Sequence, residues 1–127
     1  MSKIISVNQK IGNFKKIISV PGDKSLSIRW VLFSSLANGT SKAKNLLMSE
    51  DVLAAIKIIK KLGIKVNIKK KECKIFGKGI DGYNYKKNLT IDAQNSGTLG
   101  RLILGLLVNS PEPINLVGDK SLSKRDF

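Results

Sequence analysis

The sequence contains no histidine and only one cysteine, Cys73. The absence of histidine excludes a histidine-based catalytic triad, a histidine general base and a histidine-ligated metal site within these residues. A single cysteine cannot form an internal disulfide or a four-cysteine zinc site, which favours a reducing compartment. Long hydrophobic runs are also lacking, because the most apolar stretch, 102–108, falls far short of the roughly 20 residues that span a bilayer. With no secretory signal in the first residues, we predict a cytoplasmic protein.

Acidic residues are scarce, with nine Asp and Glu against 23 Lys and Arg, a formal net charge of +14. This excess makes a basic nucleic-acid-binding protein one hypothesis. Of the 23 cations, 20 are lysines, and isoleucine and asparagine are abundant, as in AT-rich genes. Aromatic residues are scattered rather than paired on one face, which disfavours specific nucleic-acid binding. No carboxylate pair is suited to general acid–base chemistry.

The three arginines stand out against the lysines. Arg29, Arg101 and Arg125 each end a segment rich in Gly, Ser, Asn or Asp. A planar, bidentate donor at these positions indicates binding of carboxylate or phosphate. The alternative is that they are three ordinary surface arginines.

Apolar periodicity and turn residues predict a mixed α/β (α+β) chain. The predicted elements are strands 4–7 and 17–20, a helix 25–36, a strand 43–47, a helix between Ser49 and Gly63, strands 64–68 and 72–76, a strand 89–93, a helix capped by Asn95 and stopped at Asn109, and a strand 114–117. This order gives one complete βαβαββ unit and the beginning of a second. Because the last loop is followed by no helix, we expect the sequence to be a fragment.

A near repeat is the clearest motif. Gly22–Arg29 reads GDKSLSIR and Gly118–Arg125 reads GDKSLSKR, identical at seven of eight positions. Such a loop offers an anion backbone N–H groups, a hydroxyl, a lysine charge and an arginine. It is not a Walker P-loop, since the GK[ST] order is absent. Chance similarity of two capped loops is the alternative.

A second motif is Asn95-Ser96-Gly97-Thr98, followed by Arg101. Asn95 is predicted to cap the helix. Gly97 in the first turn costs ~1 kcal/mol against alanine, which makes sense if a ligand approaches the backbone closely. Asp92, just before the loop, is a candidate for orienting it. A plain capped helix is the alternative interpretation.

Together, VPGDKSLSIR, NLLMSEDVLAAIKIIKKLG, IDAQNSGTLGRLILGLL and GDKSLSKR, in this order, resemble the N-terminal part of the 5-enolpyruvylshikimate-3-phosphate synthases. The resemblance implies the enolpyruvyl transferase fold, an inside-out α/β barrel of βαβαββ units. It also implies transfer of an enolpyruvyl group from phosphoenolpyruvate to the 5-hydroxyl of shikimate 3-phosphate, with release of phosphate. The resemblance further implies that no metal or organic cofactor is needed and that the protein binds neither a membrane nor a specific nucleic acid. Members of the family are usually monomers.

The resemblance also implies roles for the motif residues. Lys24 would lie between the two substrates as a catalytic residue. Ser25 and Arg29 would bind shikimate 3-phosphate, with Arg29 serving its carboxylate. The implied ligands of phosphoenolpyruvate are Lys24, Asn95, Gly97 and Arg125. Arg101 is implied as a possible anchoring residue.

The resemblance further implies a division of the chain. Residues 1–20 would form strands of the second (C-terminal) domain and 21–127 the first part of the N-terminal substrate-binding domain, with the remainder absent. Alone, this fragment is expected to be inactive; the alternative is a non-catalytic anion-binding module of the same fold. The chain departs from the family pattern at Gln94, where glycine is usual, and at Ile28, Trp30 and Asp126.

Overall fold

The computed structural model describes residues 4–10, 12–70 and 72–126, and they form a mixed α/β structure. Its elements are α1 (Lys24–Leu36), β1 (Asn38–Lys44), α2 (Glu50–Lys61), β2 (Lys65–Lys69), β3 (Glu72–Lys78), β4 (Leu89–Asp92), α3 (Gly97–Leu106), β5 (Ile114–Val117) and a 3₁₀ turn (Leu122–Lys124). The predicted α/β class is therefore confirmed, whereas the number of repeat units stays a prediction.

Strand β3 is the centre of a three-stranded antiparallel sheet in the order β1-β3-β2. Alternate residues of β3 point to opposite faces, and Cys73 and Ile75 are fully buried beneath α1 and α2. The opposite face carries polar residues such as Lys42, Lys74 and Asn67. The core under the helices is aliphatic and includes Ile28, Val31, Leu32, Val52, Ile56, Ile59, Leu62 and Ile75.

The second structural element is a strand–helix–strand crossover. Strands β4 and β5 pair in parallel, from Leu89 opposite Ile114 to Asp92 opposite Val117, and α3 connects them. Their carboxyl ends therefore lie side by side, as they do wherever parallel strands pair. No helix in the described part of the chain is both long and apolar enough to cross a membrane.

Gly63 closes helix α2 just after its last turn, as the sequence predicts. The Gly63 N–H donates to the Lys60 carbonyl and the Ile64 N–H to the Ile59 carbonyl, both at 3.0 Å, which is the Schellman pattern. Gly63 has φ of +86°, and a Cβ there would lie 2.5 Å from the Asn84 carbonyl oxygen. Both the backbone angle and the close approach therefore require glycine.

Three predicted strands differ from the structure. Strand β1 begins at Asn38 rather than at residue 43, because β3 offers partners along its whole length, from Lys78 back to Glu72. No strand forms at 4–7 or 17–20, where the described chain provides no pairing backbone and side chains such as Ile4 (88%) and Ile17 (102%) are exposed. The assignment of 1–20 to a second domain stays a prediction.

A pair of glycine variants tests this account of the helix ends. Gly63→Ala is expected to destabilise the fold by about 2 kcal/mol or more, because alanine strains the left-handed conformation and meets a carbonyl oxygen. Gly105→Ala, in α3 with nothing within 4 Å of a new Cβ, is expected to stabilise it by about 0.5–1 kcal/mol. Urea unfolding measures both; equal effects would contradict the interpretation of Gly63.

Candidate anion-binding site

Two loops leave the carboxyl ends of β4 and β5 and run next to each other. The Ala93 N–H donates to the Val117 carbonyl at 2.9 Å, and the Asp119 N–H donates to the Gln94 carbonyl at 2.9 Å. In open α/β sheets, ligands bind outside the carboxyl ends of parallel strands, particularly where connections diverge. The loops therefore lie where a ligand site is expected.

The first loop is shaped by Asp92 and Gln94. Asp92 Oδ1 accepts the Gln94 N–H at 2.7 Å, which confirms that Asp92 orients the loop. Gln94 has φ of +52°, a left-handed conformation that glycine adopts without strain. This angle explains why a glycine would suit position 94, and the backbone turn forms with glutamine in its place.

Asn95 does not cap α3, contrary to the sequence prediction. The N-cap is Ser96, whose Oγ accepts the Leu99 N–H at 3.4 Å. Asn95 lies one residue earlier, where its side chain reaches the second loop instead. Its Nδ2 donates to Asp119 Oδ2 at 2.8 Å, and its Oδ1 accepts from Arg125 Nη2 at 2.9 Å.

The two repeat segments share a local geometry. Asp23 Oδ1 accepts the Leu26 N–H at 2.7 Å, and Asp119 Oδ1 accepts the Leu122 N–H at 2.7 Å. The first copy continues into α1, whereas the second makes only a 3₁₀ turn. After Arg29 the chain continues with Val31 and Leu32, which are buried in the core, whereas Arg125 is followed by Asp126. The repeated sequence therefore forms the same capped turn in both copies.

Five of the seven predicted site residues meet at one open cleft of about 350 Å³. Lys24 comes from the first turn of α1, Arg101 from α3 and Arg125 from the residues after the 3₁₀ turn. The cleft is lined by Lys24, Asp51, Asn95, Ser96, Gly97, Thr98, Arg101 and Arg125. The other two predicted residues do not line it: Ser25 is half-buried on α1 and Arg29 is exposed one turn further along.

The charges in the cleft are three cations and one carboxylate. Lys24 Nζ forms a 3.0 Å ion pair with Asp51 Oδ2, from the first turn of α2. Arg101 Nη2 donates to the Asp126 carbonyl at 2.9 Å, and Arg125 Nη2 also donates to Ser121 Oγ at 3.2 Å. The net positive charge and the fixed guanidinium groups suit a phosphate or carboxylate ligand.

Sequence reasoning missed the contribution of Asp51 to this site. The contact of Asp51 with Lys24 joins residues far apart in the chain. No local pattern signals such a pair. The packing of α1 against α2 creates it.

Gly97 leaves the floor of the cleft open. A Cβ at this position would lie 3.2 Å from Arg125 Nη1 and 3.9 Å from Arg101 Nη1. The missing side chain therefore leaves space over the backbone between two guanidinium groups. This geometry agrees with the interpretation that glycine allows an anion to approach the start of α3.

The family is settled by a family model described as EPSP synthase (3-phosphoshikimate 1-carboxyvinyltransferase), which matches residues 8–126. The chain belongs to the EPSP synthase family. The match covers both repeat segments and the loop after β4, so the cleft is formed by residues that the family model includes.

Individual EPSP synthase relatives agree. A 3-phosphoshikimate 1-carboxyvinyltransferase of Bacillus cytotoxicus is 44% identical over 108 residues, covering 85% of this chain and 25% of the relative. One from Streptococcus pyogenes serotype M2 is 40% identical over 123 residues, covering 97% and 28%. An EPSP synthase structure from Acinetobacter baumannii is 36% identical with a TM-score of 0.74, covering 85% and 24%. The chain thus spans about a quarter of the length of these relatives.

The Gly97→Ala variant tests whether the space above Gly97 is used. Alanine favours the helix, so the free energy of unfolding should not fall. Affinity for inorganic phosphate should drop about tenfold, because the new methyl group presses on a guanidinium already held by two hydrogen bonds. Isothermal titration calorimetry measures the affinity, with Gly105→Ala as control on the same helix. Unchanged phosphate binding by Gly97→Ala would contradict the assignment.

Proposed function

We propose that this chain supplies the cationic part of the substrate site in an enzyme that transfers the enolpyruvyl group of phosphoenolpyruvate to the 5-hydroxyl of shikimate 3-phosphate, releasing phosphate. The observation that carries the proposal is the convergence of Lys24, Gly97, Arg101 and Arg125, from separate stretches of the chain, on one cleft. Membership of the EPSP synthase family supports the choice of reaction.

Phosphoenolpyruvate fits the chemistry of this cleft. The ligand carries a phosphate and a carboxylate, and two guanidinium groups flanking an unobstructed backbone match two anionic groups. In our proposal, Asn95, Gly97 and Arg125 bind phosphoenolpyruvate, and Arg101 anchors the segment after Arg125 through the Asp126 carbonyl. The fixed positive charge would also stabilise negative charge that develops during addition and elimination.

Shikimate 3-phosphate is assigned to the neighbouring surface of α1. Ser25 and Arg29 are four residues apart and therefore lie on the same face of the helix. Lys24 precedes them and faces the cleft, so it would lie between the two substrates. We assign Arg29 to the shikimate carboxylate, because its guanidinium can form a bidentate pair there.

The reaction needs proton transfers that this cleft does not provide. Asp51 is the only carboxylate that lines the cleft in the described part of the chain, and it is paired with Lys24. Since the chain spans about a quarter of its relatives, we propose that the acid–base groups come from the other three quarters. Residues 1–127 alone should therefore show no turnover.

The proposal also includes a two-domain assignment. We propose that 21–127 are the first part of the N-terminal substrate-binding domain and that 1–20 pair with a second domain. The exposed apolar side chains of the N-terminal segment support this, since such surface is normally covered in a folded protein. They include Ile4, Ile5, Val7, Ile17, Ile18 and Val20.

The main alternative function is an anion-binding module of the same fold without catalysis. It is favoured by the three cations, Lys24, Arg101 and Arg125, that line the cleft within this chain. Nucleic-acid binding is less well supported, although lysines crowd the open face of the sheet. There, the hydrogen bond from Lys74 and the charges of Lys42 and Lys44 lower the pKa of Glu72. That face carries no arginine and is separate from the cleft.

A chimeric enzyme tests whether the chain is part of a transferase or a non-catalytic anion-binding module. Residues 8–126 would replace the matching segment of the Bacillus cytotoxicus relative, and phosphate release would be followed with both substrates. We expect activity, and a loss of about 100-fold in kcat on Lys24→Met, because a fixed charge next to the reacting groups is removed. Lys57→Met, an exposed position on α2, is the matched control and should leave kcat unchanged. A folded but inactive chimera would contradict the transferase proposal and favour the module.

A further inference from the structure

Asp119 lies outside the cleft but contacts both of its loops. Its Oδ1 accepts the Leu122 N–H at 2.7 Å and its Oδ2 accepts Asn95 Nδ2 at 2.8 Å. Its own N–H donates to the Gln94 carbonyl at 2.9 Å. None of the roles proposed above uses this residue.

The repeat supplies an internal comparison for Asp119. Asp23 occupies the same position of the first copy and accepts the Leu26 N–H at 2.7 Å. In the described part of the chain, this cap is the only hydrogen bond of the Asp23 side chain, whereas Asp119 uses its second oxygen for Asn95. Capping therefore accounts for the hydrogen bond that the Asp23 side chain accepts, but for only one of the two that the Asp119 side chain accepts.

The carboxylate of Asp119 fixes which end of the Asn95 amide faces Arg125. An ionised carboxylate only accepts hydrogen bonds, so the NH₂ group of Asn95 turns toward Asp119. The amide oxygen then faces Arg125 and accepts from Nη2 at 2.9 Å. The reverse orientation would place two acceptors together on one side and two donors together on the other.

The orientation of Arg125 follows from this bond. Nη2 is held by Asn95 Oδ1 and by Ser121 Oγ, while Nη1 lies on the side of Gly97. We infer that Asp119 is a positioning residue: acting through Asn95, it holds the Arg125 guanidinium with Nη1 over Gly97, ready to bind an anion. This inference rests on the proposed function, in which that anion is phosphoenolpyruvate.

Removing the charge of Asp119 distinguishes positioning from simple electrostatics. A negative charge near the cleft repels anions, so its loss alone would tighten anion binding. In Asp119→Asn, the oxygen can still cap the Leu122 N–H, but the new NH₂ group faces the NH₂ group of Asn95. Asn95 then turns around and presents a donor to Arg125, so positioning predicts weaker binding.

The test is calorimetric titration of phosphoenolpyruvate, and separately of inorganic phosphate, into the 127-residue chain. Asp119→Asn should bind both anions about fivefold more weakly, a loss the size of one ordinary hydrogen bond. Asp23→Asn removes the same charge at the equivalent cap and should bind as well as the unmodified chain or slightly better. In an Asn95→Ala background, adding Asp119→Asn should leave binding unchanged or slightly tighter, because the residue it acts through is gone and only the charge is lost.

Three results would overturn the inference: unchanged binding by Asp119→Asn, tighter binding, or a full fivefold loss that persists in the Asn95→Ala background. If Asp119→Asn unfolds, Asp119→Ser retains a capping oxygen and replaces it in the same comparison. If the unmodified chain binds neither anion, the proposed function fails. The inference is then decided in the unliganded chain, where the ¹⁵N side-chain amide signals of Asn95 should shift in Asp119→Asn; no shift would overturn it.

Discussion

The parallel pairing of β4 with β5 is the constraint on which the site depends. Four residue pairs, from Leu89–Ile114 to Asp92–Val117, bring the two strand ends together. Each strand continues directly into a loop that carries residues of the cleft, so the register of this short pair fixes where Asn95 and Arg125 lie. The crossover packs into the core through buried aliphatic residues such as Ile91, Leu99 and Ile103.

The second requirement is that α1 presents Lys24 to the same cleft. The Asp23 cap sets where α1 begins, and the packing of α1 against α2 places Asp51 within 3.0 Å of the lysine. Carboxylates therefore serve this basic site as supports: Asp51 pairs with Lys24, Asp92 shapes the first loop and Asp119 holds Asn95. A chain with few acidic residues places three of them around its anion site.

The sequence predicts those features that depend on neighbouring residues. Strand 114–117, the hairpin of β2 and β3 and the Schellman ending at Gly63 are confirmed, since turn residues and alternation are local signals. The meeting of Lys24, Gly97 and Arg125 was expected only through resemblance to the family. Contacts between distant residues, such as Lys24 with Asp51 and Asn95 with Asp119, have no local signal.

The predictions that were wrong also depended on contacts between distant parts of the chain. Asn95 has the side chain of a good N-cap, but a partner in the second loop binds it, and Ser96 takes the capping position. The apolar runs at 4–7 and 17–20 have strand composition, yet strands need a paired backbone that the described chain does not provide. Among the lysines in the described part of the chain, only Lys24 lines the cleft.

We propose that one anion site is formed jointly by the first repeat, the loop after β4 and the second repeat. The most direct measurement is an amide ¹H–¹⁵N NMR titration of the chain with phosphoenolpyruvate, which maps the bound ligand residue by residue. We expect the largest shifts to occur together at Lys24, at 95–101 and at Arg125. Shifts confined to the lysine-bearing strands β1, β2 and β3 would contradict it, because they would show that the anion follows net charge rather than this site.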